Sequence, residues 1–194
     1  SRRFGQRFGD RMADDLVTAE EEQDLVARIA KVPLTPFQFQ GFTGKRLTHS
    51  FGWRYDFQDQ SFTQTEGIPD WLEPLRERAA ALAGVPAAEL VHALLIRYDP
   101  GAGIGWHKDR PVFEQVVGIT LGSPTVLAFR QRSGGKFRRV KVPLSRRSAY
   151  LLSGEVRHEW EHGIAAHDAL RFSVTFRTLS ERTKHLIQQR EIGR

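Results

Sequence analysis

From Leu90 onward the chain breaks into short strand-like runs separated by Gly- or Pro-containing turns. The runs fall at 91–98, 103–107, 115–121, 125–131, 136–142, 147–153 and 170–178. Many short strands at such intervals predict a β-sandwich or jelly roll. A chain of 194 residues suits a single domain of this kind and can bury a core without staples. Two helical patterns precede the strands. Thr18-Ala19-Glu20-Glu21 reads as a capping box, and Leu25, Val26 and Ile29 follow at helical spacing, predicting a helix from Thr18 to Lys31 that Pro33 and Pro36 stop. A second helix is expected from Asp70 as cap, with Pro74 in its first turn, Leu72, Leu75, Ala79 and Leu82 as the apolar stripe, and Gly84 at its end. The fold class expected is mainly β with flanking helices covering one outer face. Residues 1–17 read as a basic arm that frays, 18–179 as the domain, and 180–194 as a basic tail.

Composition narrows the chemistry. Cysteine is absent, which excludes a disulfide scaffold, a zinc finger, an iron–sulfur centre and a thiol nucleophile, and fits a reducing, cytoplasmic setting. No apolar run is long enough to cross a bilayer, and the Arg-rich start lacks the apolar stretch of a signal peptide. The expectation is a monomer with no membrane partner. A net charge of +6 favours polyanions, nucleic acid among them, although many basic proteins have no such partner.

Histidine therefore carries the search for a site. His107 and Asp109 flank Lys108, so on extended backbone both side chains leave the same face, as two ligands of one metal would. The HxD pattern also arises by chance. His162 follows after several strands, enough chain for a sheet to return it to the pair. Two imidazoles and one carboxylate on one metal face are the ligand set of non-haem Fe(II) oxygenases, which leave other positions open for a co-substrate and O2. Arg171 and Arg177, in RFSVTFR, stand an even number of positions apart and share a strand face. They suit a dicarboxylate co-substrate through bidentate pairing, or are surface residues of an edge strand.

The order RYDPGAGIGWHKD, LSGEVRHEWEHGI, RFSVTFR resembles the AlkB family of Fe(II)- and 2-oxoglutarate-dependent dioxygenases, over roughly residues 40 to 178. The resemblance implies a double-stranded β-helix, the jelly roll already expected. It implies that His107, Asp109 and His162 hold Fe(II), that Arg171 pairs with the distal carboxylate of 2-oxoglutarate, that Arg177 sits near its metal-chelating end, and that Tyr98 adds a hydroxyl. It also implies O2 as second co-substrate and oxidative demethylation of N-alkylated bases in DNA or RNA. Ile96 departs from the family, whose members often carry Asn there.

Substrate contacts are sought in the aromatic stretch 37–62, where Gly41 and Gly44 mark a turn. Phe51, Trp53, Tyr55 and Phe57 alternate and are expected on one strand face. Trp53, Arg54 and Tyr55, with Lys45 and Arg46, suit a lid for a base and its phosphate, or the rings pack in the core. A second basic cluster, Arg130, Arg132, Lys136, Arg138, Arg139 and Lys141 with Arg146 and Arg147, is expected on a hairpin turning at Ser133-Gly134-Gly135, either tracking a phosphate backbone or guarding a sheet edge. Three alternatives stand beside this reading: the same iron chemistry on a protein or small molecule, a non-catalytic β-scaffold that binds nucleic acid, and a zinc protease. The last rests on His158-Glu159-Trp160-Glu161-His162, which satisfies HExxH. That motif needs a helix, whereas the approach through Ala149–Gly154 reads as strand and turn.

Overall fold

The short runs pair as two antiparallel sheets in the computed structural model, which describes residues 4, 8, 11–39, 42–55 and 62–192. The strands are β1 (Met12–Ala13), β2 (Thr35–Phe39), β3 (Phe42–Tyr55), β4 (Phe62–Gln64), β5 (His92–Tyr98), β6 (Ile104–His107), β7 (Phe113–Leu121), β8 (Thr125–Ser133), β9 (Lys136–Leu144), β10 (Ala149–Leu152), β11 (Glu161–Ile164) and β12 (Arg171–Leu179). The helices are α1 (Ala19–Lys31), α2 (Glu73–Ala83), α3 (Gly154–Glu159) and α4 (Glu181–Ile192). The larger sheet runs β1-β10-β7-β12-β5-β3-β2, with β4 on β3, and the smaller runs β6-β11-β8-β9. From β5 onward the chain passes back and forth between the sheets, which makes the fold a jelly roll. Among the described residues, no helix is long and apolar enough to cross a membrane.

Strand parity sorts side chains into two layers. Phe172, Val174 and Phe176 of β12 join Leu95, Val117, Ile119 and Leu151 under Leu25 and Ile29 of α1 and Leu75 and Ala79 of α2. Burying each such side chain contributes about 1.5–3 kcal/mol relative to leaving it exposed. Arg171, Ser173, Thr175 and Arg177 alternate with that set and so face the smaller sheet. There Val116 and Leu152 meet Leu127, Phe129, Leu144, Ile164 and Trp160 in a second core. Phe4 and Phe8 belong to this core, Phe4 with its ring 4.5 Å from Trp160, and β1 pairs with β10. At these described positions the basic arm is packed rather than frayed, because Phe gains by burial what a charged segment would not.

The capping box forms: Glu21 donates its N–H to Thr18 Oγ1 at 3.1 Å, and Thr18 donates its own to Glu21 Oε1 at 2.9 Å. The next residue, Glu22, is 2% exposed and ties α1 to the sheet. It accepts from Arg146 Nη2 at 2.8 Å and from the Gly122 N–H at 2.9 Å. Glu22→Ala would leave these donors unmatched and is expected to cost about 3 kcal/mol in chemical denaturation. The second helix begins later than Asp70: a 3-10 turn, Asp70–Leu72, precedes α2, and Asp70 makes no cap. Pro74 sits in the first turn of α2, where its missing N–H costs nothing.

The expected alternation through Phe51, Trp53 and Tyr55 is interrupted. Gly52 has φ +78, and a Cβ there would lie 2.0 Å from the Val91 carbonyl oxygen. The left-handed residue turns β3 out of the larger sheet toward β4. Phe51 therefore joins the helix-side core, while Trp53 stacks on Phe62 at 5.0 Å. Phe57, Gly41 and the side chain of Tyr55 lie outside the described residues.

Candidate metal centre

β6 and β11 are antiparallel neighbours, with His107 directly opposite His162. The register brings the two rings to 4.3 Å between centroids. Asp109, just past the end of β6, places Oδ1 3.7 Å from His107 Nε2 and 3.6 Å from His162 Nε2. One ligand atom from each residue lies within 4.8 Å of the others, close enough to share one ion. β11 was not among the strand-like runs, since Trp160-Glu161-His162-Gly163 shows no clean apolar alternation.

The surroundings set the protonation these ligands need. His107 Nδ1 donates to the Gly105 carbonyl at 2.8 Å, which leaves the Nε2 lone pair facing the cluster. Burial lowers the pKa of His107 against the opposing pull of Asp109. Burial first, and then the neighbouring His107, lower that of His162 to about 3. Both rings are thus neutral donors at ordinary pH. Burial alone would raise the Asp109 carboxyl, but Arg177, His162 and His107 together hold it well below the usual carboxylate range.

Arg177 is bound to the carboxylate rather than left free. Its Nε donates to Asp109 Oδ2 at 2.6 Å and its Nη1 to Thr175 Oγ1 at 2.9 Å, with His92 Nδ1 at 3.4 Å. This orients Asp109 with Oδ1 toward the imidazoles. His92 and Thr175 were not singled out from sequence; both lie at inward positions of β5 and β12, a parity that Tyr98 and Arg177 already mark. Arg157, on α3, donates to the carbonyls of Glu114, Arg110 and Phe113 at 2.8–2.9 Å and so braces the chain that follows Asp109.

Arg171 is different. It is 1% exposed, lies opposite Tyr98, and stacks its guanidinium 4.1 Å over that ring. Among the described residues, its Nε and Nη2 have no hydrogen-bond partner. A buried cation with two unmatched N–H groups is costly unless an anion completes it. A carboxylate, with two oxygens on one carbon, fits that fork. The donor set beside it, two neutral imidazoles and an ionised carboxylate, suits a ferrous ion.

The residues expected to meet substrate stand further off. Among the described residues, Trp53 connects to the cluster through Phe62, then Phe113, whose ring is 4.9 Å from His92 and 5.6 Å from the Arg177 guanidinium. Arg54 is exposed. The HExxH residues do not share a helix: α3 ends at Glu159, His158 pairs with Glu114 at 2.6 Å, and His162 is on β11. The two imidazoles do not converge as that motif requires.

A jelly roll with a His-Asp-His cluster against its inner face is the architecture of mononuclear metal-dependent oxygenases. The comparisons agree. The family model described as the 2OG-Fe(II) oxygenase superfamily matches residues 9–177. The human protein alpha-ketoglutarate-dependent dioxygenase alkB homolog 4 is 28% identical, covering 95% of this chain and 72% of its own length. The zebrafish (Danio rerio) protein named Probable RNA/DNA demethylase ALKBH6 is 30% identical over 59% of this chain and 47% of its own. Mouse (Mus musculus) tRNA (carboxymethyluridine(34)-5-O)-methyltransferase ALKBH8 is 27% identical over 79% of this chain, which spans 24% of that longer protein. The solved structure of OsALKBH1 superposes with a TM-score of 0.68 at 16% identity, covering 86% of this chain and 95% of that one. The chain belongs to the 2OG-Fe(II) oxygenase superfamily and, within it, to the AlkB family.

Proposed function

We propose that this chain is an Fe(II)- and 2-oxoglutarate-dependent dioxygenase that oxidatively demethylates N-alkylated bases in DNA or RNA. The observation that carries the reading is the convergence of His107, Asp109 and His162 beside a buried guanidinium, Arg171, with unmatched donors. His107 Nε2, Asp109 Oδ1 and His162 Nε2 would hold the iron, and Arg171 with the Tyr98 hydroxyl would hold the co-substrate. Bound iron, 2-oxoglutarate and O2 supply the oxidation: the keto acid loses CO2 to give succinate, one oxygen atom enters a methyl C–H bond of the base, and the hydroxymethyl group leaves as formaldehyde.

The protein's own part is positional. Arg177 fixes the Asp109 carboxylate, so its ligand oxygen needs no reorientation when metal arrives. The two sheets shield Asp109 and His162, whose side chains are 5% and 10% exposed, while His107 stays 32% exposed. Trp53 and Arg54, with Tyr55, stand on β3 as the proposed contacts for a base turned out of its stack. The relatives' names support a nucleic-acid substrate: one reads RNA/DNA demethylase and another tRNA methyltransferase.

The outer face of the smaller sheet supports it too. Trp106 precedes His107 and points the other way, 37% exposed. Arg130 lies 4.7 Å over its ring and 4.3 Å over that of Phe137. Arg132 and Arg139 also approach Phe137, at 5.1 and 5.9 Å. Interleaved guanidinium and aromatic planes beside a basic hairpin suit a phosphate backbone with stacked bases. Arg139→Glu with Lys141→Glu is expected to weaken oligonucleotide binding and to flatten its salt dependence, by roughly one unit of log–log slope for each phosphate no longer neutralised. Retention on labelled oligonucleotides across a salt series measures it; an unchanged slope removes the hairpin from the interface.

The whole reading is tested by anaerobic titration with Fe(II) and 2-oxoglutarate, then by formaldehyde release from methylated DNA and RNA oligonucleotides. Uptake of both ligands with formaldehyde from an oligonucleotide is the expected result. Turnover of 2-oxoglutarate without formaldehyde from any nucleic acid would move the substrate to another class.

A further inference from the structure

Gly118 of β7 faces the space between the sheets, flanked by Tyr150 of β10 and Thr175 of β12. A Cβ built there would lie 2.2 Å from Tyr150 Cζ, 2.4 Å from its hydroxyl oxygen and 2.5 Å from Cε1. Those atoms occupy the place a side chain on β7 would take. The Tyr150 ring is therefore laid across its neighbouring strand, in the direction of β12, instead of standing off its own. Any residue but glycine at 118 would push it away, because the close atoms belong to a ring and not to a flexible chain end.

That direction carries the hydroxyl into the co-substrate space. Tyr98, Arg171, Asp109 and Arg177 all act electrostatically on the Tyr150 phenol. The strand it faces, β12, carries the unmatched guanidinium of Arg171 at one end of its inward row and Arg177, bound to Asp109, at the other. Burial first, and Tyr98 next, raise the pKa of the Tyr150 phenol, so the group keeps its proton and is a donor. On β5 the inward position next to Tyr98 is Ile96, which offers no donor. 2-Oxoglutarate carries two carboxylates, each with about four lone-pair directions to satisfy, more than the free N–H groups of Arg171 and the Tyr98 hydroxyl provide.

We infer that the Tyr150 hydroxyl, admitted across β7 by the absent side chain of Gly118, donates a hydrogen bond to a carboxylate of bound 2-oxoglutarate as a third anchor beside Arg171 and Tyr98. The inference rests on the proposed 2-oxoglutarate dependence. Tyr150→Phe keeps the ring over Gly118 and removes only the donor.

The test is calorimetric titration of 2-oxoglutarate into the Fe(II)-loaded full chain without O2, for the wild-type protein and the variant, together with their melting temperatures. The expected result is a dissociation constant raised roughly tenfold or more, the loss typical of a hydrogen bond to a charged group, with the melting temperature unmoved. A purely structural Tyr150 would shift the melting temperature and leave the affinity alone. A variant that binds 2-oxoglutarate as tightly as the wild type overturns the inference while the proposed function stands. A wild-type protein that takes up no 2-oxoglutarate overturns the proposed function itself, and the inference with it.

Discussion

Asp109→Ala is expected to abolish 2-oxoglutarate turnover, with a loss beyond the ~10–100-fold typical of residues that only orient a metal ligand. His107→Ala follows the same course. Asp109 provides the one anionic group of the candidate cluster, with Oδ1 within 3.7 Å of both Nε2 atoms, and without it two neutral imidazoles would leave the charge of a divalent ion uncompensated in a buried site. The alanine variant also strips Arg177 of its 2.6 Å partner, leaving a buried cation unmatched, so stability falls along with activity. Asp109→Asn keeps the shape and separates the two effects: metal retention after dialysis reports the ligand role and denaturation reports the ion pair. Near-normal succinate production in His107→Ala would contradict the ligand assignment.

Arg171→Met is expected to behave in the opposite sense for stability. Most buried arginines are matched, and truncating one is costly. Arg171 carries Nε and Nη2 with no partner, so replacing it by an apolar side chain of similar length relieves a desolvated charge. The ligand-free protein is expected to unfold at an equal or higher denaturant midpoint. Affinity for 2-oxoglutarate moves the other way and falls by roughly two orders of magnitude, since removing one member of a buried charge pair costs about 2–5 kcal/mol. Titration of the keto acid and urea denaturation give the two readings. A large loss of stability in the ligand-free variant would make Arg171 a structural residue and not a receptor for an anion.

Much of this was legible in the residues. α1 follows from a capping box and helical spacing, which are local. The strands β5, β7, β8 and β12 follow from alternation because both of their faces have distinct surroundings. His162 was singled out as a candidate ligand although its strand was not, since the residue type and the length of chain that lets a sheet return it to His107 and Asp109 carried more than periodicity did. The aromatic stretch failed where a single backbone angle intervened. Gly52 separates Phe51 from Trp53, which would otherwise share a face, and nothing in the spacing of the rings reports it. Arg177 was expected near the metal-chelating end of a co-substrate; its bond to Asp109 was not legible, because residues distant in the chain meet only once β12 is in register.

Donor chemistry and strand parity are properties of side chains and their spacing, and so the candidate ligand set, the paired arginines and the jelly roll could be read along the line of the chain. Which of those groups is already satisfied is another matter. It follows from contacts between strands far apart in sequence: His107 opposite His162, Arg171 opposite Tyr98, the Tyr150 ring over Gly118. Pairing across a sheet assigns each polar atom a partner or leaves it without one, and that difference separates Arg177, bonded to Asp109, from Arg171, whose Nε and Nη2 stay unmatched among the described residues.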